Sequence, residues 1–332
     1  MEKIHLILAA ALAVLAVGCN KEQASEAVSD GEEVSVTFTA GLPEVQTRAI
    51  SDGMTAKNLF VAAYNDASGN PADHIPALDK TATFSNLKTS VTFNLVKGKT
   101  YHFIFWAQAD NAPYTFETED KTVTIDYAGA ANDEKRDAFY AVKTITVQGA
   151  ATEPVKLYRP FSQVNFGTAD YTAAVASGVS IDKSIFTATD AAKTFDVFAG
   201  EGKDAADLSY TEAELPAEDL LLADGRTYKY MAMNYFLPVG KLSERHVSNV
   251  KAQFISTDHT VEISSPSAPV QSNWRTNIIG NLLTDQVVFN VEIVPAFDGD
   301  INVVQNVESL STLCANGGSA VLTDNLVLDQ TL

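Results

Sequence analysis

From Val34 onward the chain repeats with a period of two. Val34, Val36, Phe38 and Ala40 alternate with Ser35, Thr37 and Thr39, which places one face of a strand against a core and the other toward water. Similar β-rich runs occur at Leu59 to Tyr64, Val91 to Val96, Tyr101 to Gln108, Thr122 to Tyr127, Ala141 to Val147, Tyr228 to Phe236, Val250 to Ser256 and Val287 to Val294. Turn-forming residues separate several of them, as at Lys97-Gly98-Lys99 and Asp224-Gly225-Arg226. No long helical stripe interrupts the pattern, and the best short helix candidate is Asp170 to Ala176. Many short strands with turn punctuation predict an all-β chain built of antiparallel sandwiches.

A length of 332 residues accommodates about two domains of ordinary size. A boundary is expected at Glu153-Pro154, where one run of strands closes and Val155-Lys156-Leu157-Tyr158-Arg159-Pro160 opens the next. Pro154 and Pro160 lack a ladder donor and belong at strand ends or edges. The expected sandwiches are 33–153 and 154–297. Charge narrows the function further: 23 Lys and Arg against 42 Asp and Glu give a net charge of −19. A phosphate-binding surface would stand against that field, so nucleic acid is excluded as a partner.

The N-terminus carries targeting chemistry. Lys3 precedes an apolar run from Ile4 to Val17 that ends in Ala16-Val17-Gly18-Cys19. The run is shorter than the ~20 residues that span a hydrocarbon core. A cysteine directly after small residues resembles a bacterial lipobox, with cleavage of a 1–18 signal peptide and acylation of Cys19, palmitate being one such acyl chain. Two acyl chains suffice for stable anchoring, so the expected partner of Cys19 is outer-membrane lipid and the expected location is the cell surface. Residues 19–32 are polar and acidic and read as a flexible tether. Lys21-Glu22 resembles the surface-export signals that follow lipidated cysteines in Bacteroidetes, and an ordinary solvated linker fits it equally. Cys314 then has no partner for a disulfide within the chain.

Catalytic constellations are weak. His74, His102, His246 and His259 are isolated in sequence, without a His-Glu-x-x-His or Cys-x-x-Cys pattern. Gly200-Glu201-Gly202-Lys203-Asp204 lacks the glycine spacing and the Ser or Thr of a phosphate loop. Asp298, Asp300 and Asn302 alternate as in a calcium loop but lack the later glutamate. Tyr101, Phe103, Phe105 and Trp106 have the composition of a sugar-binding face; alternation instead assigns Tyr101, Phe103 and Phe105 to a core and leaves His102, Ile104 and Trp106 on the opposite face. The reading is of a non-enzyme without metal or cofactor.

Four segments carry a family resemblance: Thr47-Arg48-Ala49-Ile50 after the first strand, Leu157-Tyr158-Arg159-Pro160-Phe161-Ser162-Gln163-Val164-Asn165-Phe166, Met233-Asn234-Tyr235-Phe236-Leu237-Pro238, and Asn273-Trp274-Arg275-Thr276-Asn277-Ile278-Ile279-Gly280-Asn281-Leu282-Leu283. Together with the lipobox-like leader, their order resembles the fimbrillin-like lipoproteins of Bacteroidales. The resemblance implies two tandem transthyretin-like β-sandwiches and, in assembling members, a type V pilus subunit with homologous subunits as partners. It implies cleavage by a trypsin-like protease between Arg48 and Ala49, release of the strand carrying Val34, Val36 and Phe38, and its replacement by a neighbour's strand. Val287, Phe289, Val291 and Ile293 have the alternation that such a donor needs. A solvated Arg48 and a permanent first strand remain the alternative. Trp274 is expected to be largely buried where the chain approaches its last strand.

The segment 298–332 is expected to be a linker followed by the first rung of a parallel β-helix, because apolar strand pieces around Ala320-Val321-Leu322 and Leu326-Val327-Leu328 are separated by Thr323-Asp324-Asn325. Two function classes follow. One is a structural or adhesive surface lipoprotein of fimbrillin type, with a host protein or glycan as ligand; the other is a carbohydrate-directed surface protein whose catalytic or binding β-helix lies beyond Leu332.

Overall fold

A computed structural model describes residues 31–43, 51–67, 70–222, 224–284, 288–294, 301–304 and 320–322. In chain order its first nine strands are β1 (Glu33–Gly41), β2 (Asn58–Tyr64), β3 (Lys80–Thr83), β4 (Lys88–Val96), β5 (Thr100–Gln108), β6 (Tyr114–Glu117), β7 (Thr122–Ile125), β8 (Phe139–Thr146) and β9 (Ala151–Lys156). Then come β10 (Ser162–Thr168), the helix α1 (Tyr171–Ala176), β11 (Lys183–Asp196), β12 (Glu201–Glu214), β13 (Leu220–Leu221), β14 (Thr227–Phe236), β15 (Gly240–Lys241), β16 (His246–Ile255), β17 (Thr260–Val270) and β18 (Arg275–Asn281). The last are β19 (Val288–Val294), β20 (Ile301–Val304) and β21 (Ala320–Leu322). The chain is all-β, and α1 lies where a short helix was expected.

Two sheets form the first sandwich, β4-β1-β9 and β3-β2-β5-β8. The period of two fills the space between them: Val36, Phe38 and Ala40 of β1 meet Val61 of β2, Phe103 and Phe105 of β5 and Phe139 of β8 in one buried cluster. Two more sheets, β13-β14-β10-β18-β19-β20-β21 and β15-β12-β11-β16-β17, enclose a second core around Phe166, Phe186, Phe236, Phe254 and Ile278. Gly98 and Gly225 take φ of +83° and +88° in the turns expected at those positions, a backbone region open to glycine without steric cost.

Glu153-Pro154 lies inside β9, which pairs in parallel with β1 through Lys156. Strands of the first sandwich therefore run on to Lys156, and the chain crosses to β10 through Leu157 to Phe161. Pro154 occupies the edge strand of its sheet, where a missing N–H costs no ladder bond. The β6–β7 hairpin also crosses over, because β7 pairs with the far end of β11.

A third buried cluster joins the two halves. It contains Tyr64, Ile104 and Trp106 from the outer face of the first sandwich, Tyr114, Val123 and Ile125 from the hairpin, and Phe195, Met233, Tyr235 and Ile279 from the second. Both faces of β5 are consequently covered. Tyr101, Phe103 and Phe105 lie in the first core as alternation requires, and Ile104 and Trp106 are fully buried on the other side, so the aromatic face is an internal joint.

Candidate functional site

The strand expected to leave, β1, is the middle strand of its sheet. It pairs antiparallel with β4 from Glu33↔Val96 to Gly41↔Lys88 and in parallel with β9 from Val36↔Ala151 to Gly41↔Lys156. Val36 and Phe38 are buried, and Val34 is half-buried. The Phe38 ring lies 4.7 Å from Phe103, 5.3 Å from Phe105 and 5.8 Å from Phe93, centroid to centroid. Burying each such side chain contributes about 1.5–3 kcal/mol. Removal of β1 would leave two unpaired edges flanking an apolar slot.

Chain that leaves β1 returns to the described structure at Ser51, and Ser51 is fully buried. Its φ of +62° is left-handed, uncommon for a residue with a Cβ, and polar partners on every side hold it. The Ser51 N–H donates to Glu134 Oε2 at 3.1 Å, and its carbonyl accepts from Arg159 Nη2 at 2.7 Å. Its hydroxyl oxygen accepts from the Tyr235 hydroxyl at 2.6 Å and from the Gln163 amide. Arg159 in turn clamps both oxygens of Asp137, at 2.6 and 2.9 Å, with its guanidinium 4.5 Å from the centre of the Phe139 ring. Burial pushes the Asp137 carboxyl up, and the bidentate guanidinium pulls it back; a permanently cationic, fully buried arginine requires the carboxylate form. Glu134 has no such clamp. Burial, then the charge of Asp137, push it up to about 8, and its Oε1 has no hydrogen-bond partner among the described residues.

Three of the segments that carried the resemblance converge here. β10 pairs with β14 on one side and with β18 on the other, so Gln163 stands opposite both Tyr235 and Arg275, and Asn165 opposite Asn277. Asn165 donates to Asn277 Oδ1 at 2.7 Å and accepts from the Tyr230 hydroxyl at 2.6 Å. Ser51, Glu134 and Asp137 escaped sequence reasoning. The only available signal was the arginine of Tyr158-Arg159-Pro160, which needs an acid once buried, and nothing in sequence says which acid.

The expected donor, β19, lies between β18 and β20, paired on both edges, with Val291 buried in the second core. The turn leading into it is clamped by Asp170, whose carboxylate accepts from the N–H of Leu282 and Leu283 at 3.2 Å each, from that of Thr284 at 2.9 Å, and from the Thr168 hydroxyl. Burial works against that charge, but hydrogen bonds from Thr168, Thr284 and Leu283 outweigh it and hold the carboxyl below its usual range. Trp274 packs at the margin of the second core in the turn before β18, mostly buried, with the Arg245 guanidinium 5.0 Å over its ring. β20 and β21 pair in parallel, Asn302↔Ala320 to Val304↔Leu322. Cys19, Arg48, Ala49, Val287 and Cys314 lie outside the described residues. Among the described residues no three His, Cys, Asp or Glu side chains gather as a metal-binding group.

The model of a family described as "Family of unknown function (DUF6562)" matches residues 26–320. The chain belongs to that family. No curated protein matches it. Among solved structures, this DUF6562 member is similar to a candidate cell adhesion protein of Bacteroides ovatus ATCC 8483, with a TM-score of 0.50 and 12% identity over 80% of this chain and 98% of that one. That likeness shows a shared fold. A fimbrial assembly protein of Parabacteroides distasonis ATCC 8503 gives a TM-score of 0.47 and 13% identity over 81% and 97% of the two chains. The fimbrial anchor protein Mfa2 of Porphyromonas gingivalis gives 0.39 and 12% over 79% and 97%.

Proposed function

We propose that this chain is a lipid-anchored surface protein with a fimbrial or adhesive role, and that cleavage after Arg48 makes it a strand acceptor. The supporting observation is the position of β1 between β4 and β9, with Val36 and Phe38 filling the core beneath it. Such a strand holds its place while covalent linkage keeps its local concentration high. Once cut, it is an exchangeable ligand of two open edges. Ser51 sits three residues after Arg48 and is fixed by hydrogen bonds to Glu134, Arg159, Gln163 and Tyr235, so a cut frees the β1 side and leaves the other side in place. For β19 of another copy to donate, it must first leave β18 and β20; a different subunit with a free strand is the simpler donor.

Limited trypsin treatment of the folded protein is expected to cut at Arg48 before most other basic sites, and the cut protein to form ladders that resist mild denaturant. Arg48→Ala abolishes both. A cut protein that keeps its N-terminal peptide and stays monomeric at high concentration would sink the exchange mechanism and leave an anchored, non-polymerising protein. The anchor has its own check. A fatty-acid analogue fed to expressing cells is expected to label the wild type and not Cys19→Ser.

A further inference from the structure

A second surface feature includes no residue of β1. A groove of about 430 Å³ is lined by Phe60 of β2, by Asp79, Lys80 and Thr81 at the start of β3, and by Tyr114, Thr115 and Phe116 of β6. Alternate residues of a strand point to opposite faces, so three consecutive residues line one groove only when the strand presents its edge. β6 fits that geometry. Among the described residues its one strand partner is β7, and the other edge carries no ladder. β3 is likewise an edge strand, paired with β2 alone. The groove thus runs between the open edge of β6 and the β2–β3 part of the first sandwich, with half-buried Phe60 and Phe116 as apolar lining.

Two carboxylates border it: Asp79 lines one side, exposed and paired with His74 at 2.9 Å, and exposed Glu117 stands between the lining residues Phe116 and Thr118 on the other. The nearby lysines are engaged elsewhere. The Lys80 ammonium donates to the Thr92 carbonyl and lies 5.0 Å from the centre of the Phe93 ring, in the first core's sheet. Lys121 is buried, donating to the Asn70 carbonyl at 2.6 Å.

We propose that this groove binds an extended, basic peptide segment of a partner protein. The segment adds to the β6 edge through its backbone, places an apolar side chain against Phe60 and Phe116, and sets lysine or arginine side chains against Asp79 and Glu117. Backbone pairing supplies affinity, and alternate side chains supply selectivity. The charged rim sets orientation and makes binding salt-sensitive. None of the groove's lining residues belongs to β1, and the proposal does not depend on cleavage at Arg48.

The test uses the full folded chain and two short capped peptides, one alternating lysine with valine and one alternating glutamate with valine, titrated calorimetrically at low and high salt. The lysine peptide is expected to bind and to weaken as salt rises, and the glutamate peptide not to bind. Asp79→Lys with Glu117→Lys should weaken the lysine peptide by about tenfold or more; Asp79→Asn with Glu117→Gln, which leaves both sites uncharged, should weaken it less. Reversal of an exposed charge by Asp258→Lys, in the turn between β16 and β17 of the second sandwich, should leave affinity unchanged. The proposal is overturned if both peptides bind alike, if the groove reversal has no effect, or if the distant reversal weakens binding equally. It is also overturned if a neutral oligosaccharide, and not the lysine peptide, perturbs the Phe60 and Phe116 resonances.

Discussion

Glu134 couples the stability of the fold to pH. In the folded protein burial raises its carboxyl to about 8, whereas an unfolded glutamate titrates near ~4.3. Between those values the folded state holds a proton that the unfolded state has lost, so stability is fullest below the unfolded value and falls as pH rises through about 8. The slope approaches at most ~1.4 kcal/mol per pH unit. Denaturant midpoints measured from pH 5 to pH 8 are expected to fall more steeply for wild type than for Glu134→Gln; parallel curves would show that Glu134 does not carry the slope. The neighbouring Asp137 responds differently because Arg159 clamps both its oxygens. The guanidinium favours the charged form of both carboxyls, but only Asp137 receives its two hydrogen bonds, while burial and the Asp137 charge keep Glu134 raised.

At the scale of elements, β1 is secured by two ladders and one aromatic contact set. Phe38→Ala is expected to lower stability by roughly 3–5 kcal/mol, measured by denaturant unfolding, and to speed release of β1 from the cut protein. A variant as stable as wild type would mean that Phe38 does not hold the strand. β1 was readable in sequence because its valines and phenylalanine alternate strictly with small polar residues. β11 and β12 were not, although at 14 residues each they are the longest strands. Their composition hides them: Lys183–Asp196 and Glu201–Glu214 are rich in alanine and charge, and register shifts interrupt their pairing. Asp190 and Asp204 take φ of +58° and +59°, breaking the alternation. They pair with each other across Val197–Gly200, but β11's other partners, β7 and β16, lie far away in sequence, so little local signal marks their outer edges. The Ser51 cluster was hidden for the same reason, being assembled from five separate stretches of chain, whereas the strands that flank it carried recognisable segments.

For the whole molecule, the third cluster decides how the halves behave. Trp106 is fully buried there, 5.6 Å from Tyr114 and 6.4 Å from both Phe161 and Phe195. Trp106→Ala is expected to cost about 3–5 kcal/mol and to separate one cooperative transition into two, seen as calorimetric and van't Hoff enthalpies that no longer agree. A single transition with unchanged midpoint would show that the halves do not depend on this joint. Alternation had assigned Trp106 to a face opposite the first core; only the placement of the second sandwich turns that face into an interior.

The parallel register of β1 with β9 has a mechanical meaning. A pull on the chain ahead of Glu33, resisted by the second sandwich beyond Lys156, draws β1 and β9 in opposite directions along their own axes. In that geometry the rungs from Val36↔Ala151 to Gly41↔Lys156 share the load at once instead of parting in turn as in a zipper. Tension along the molecule is met in shear by the strand pair nearest its N-terminal end.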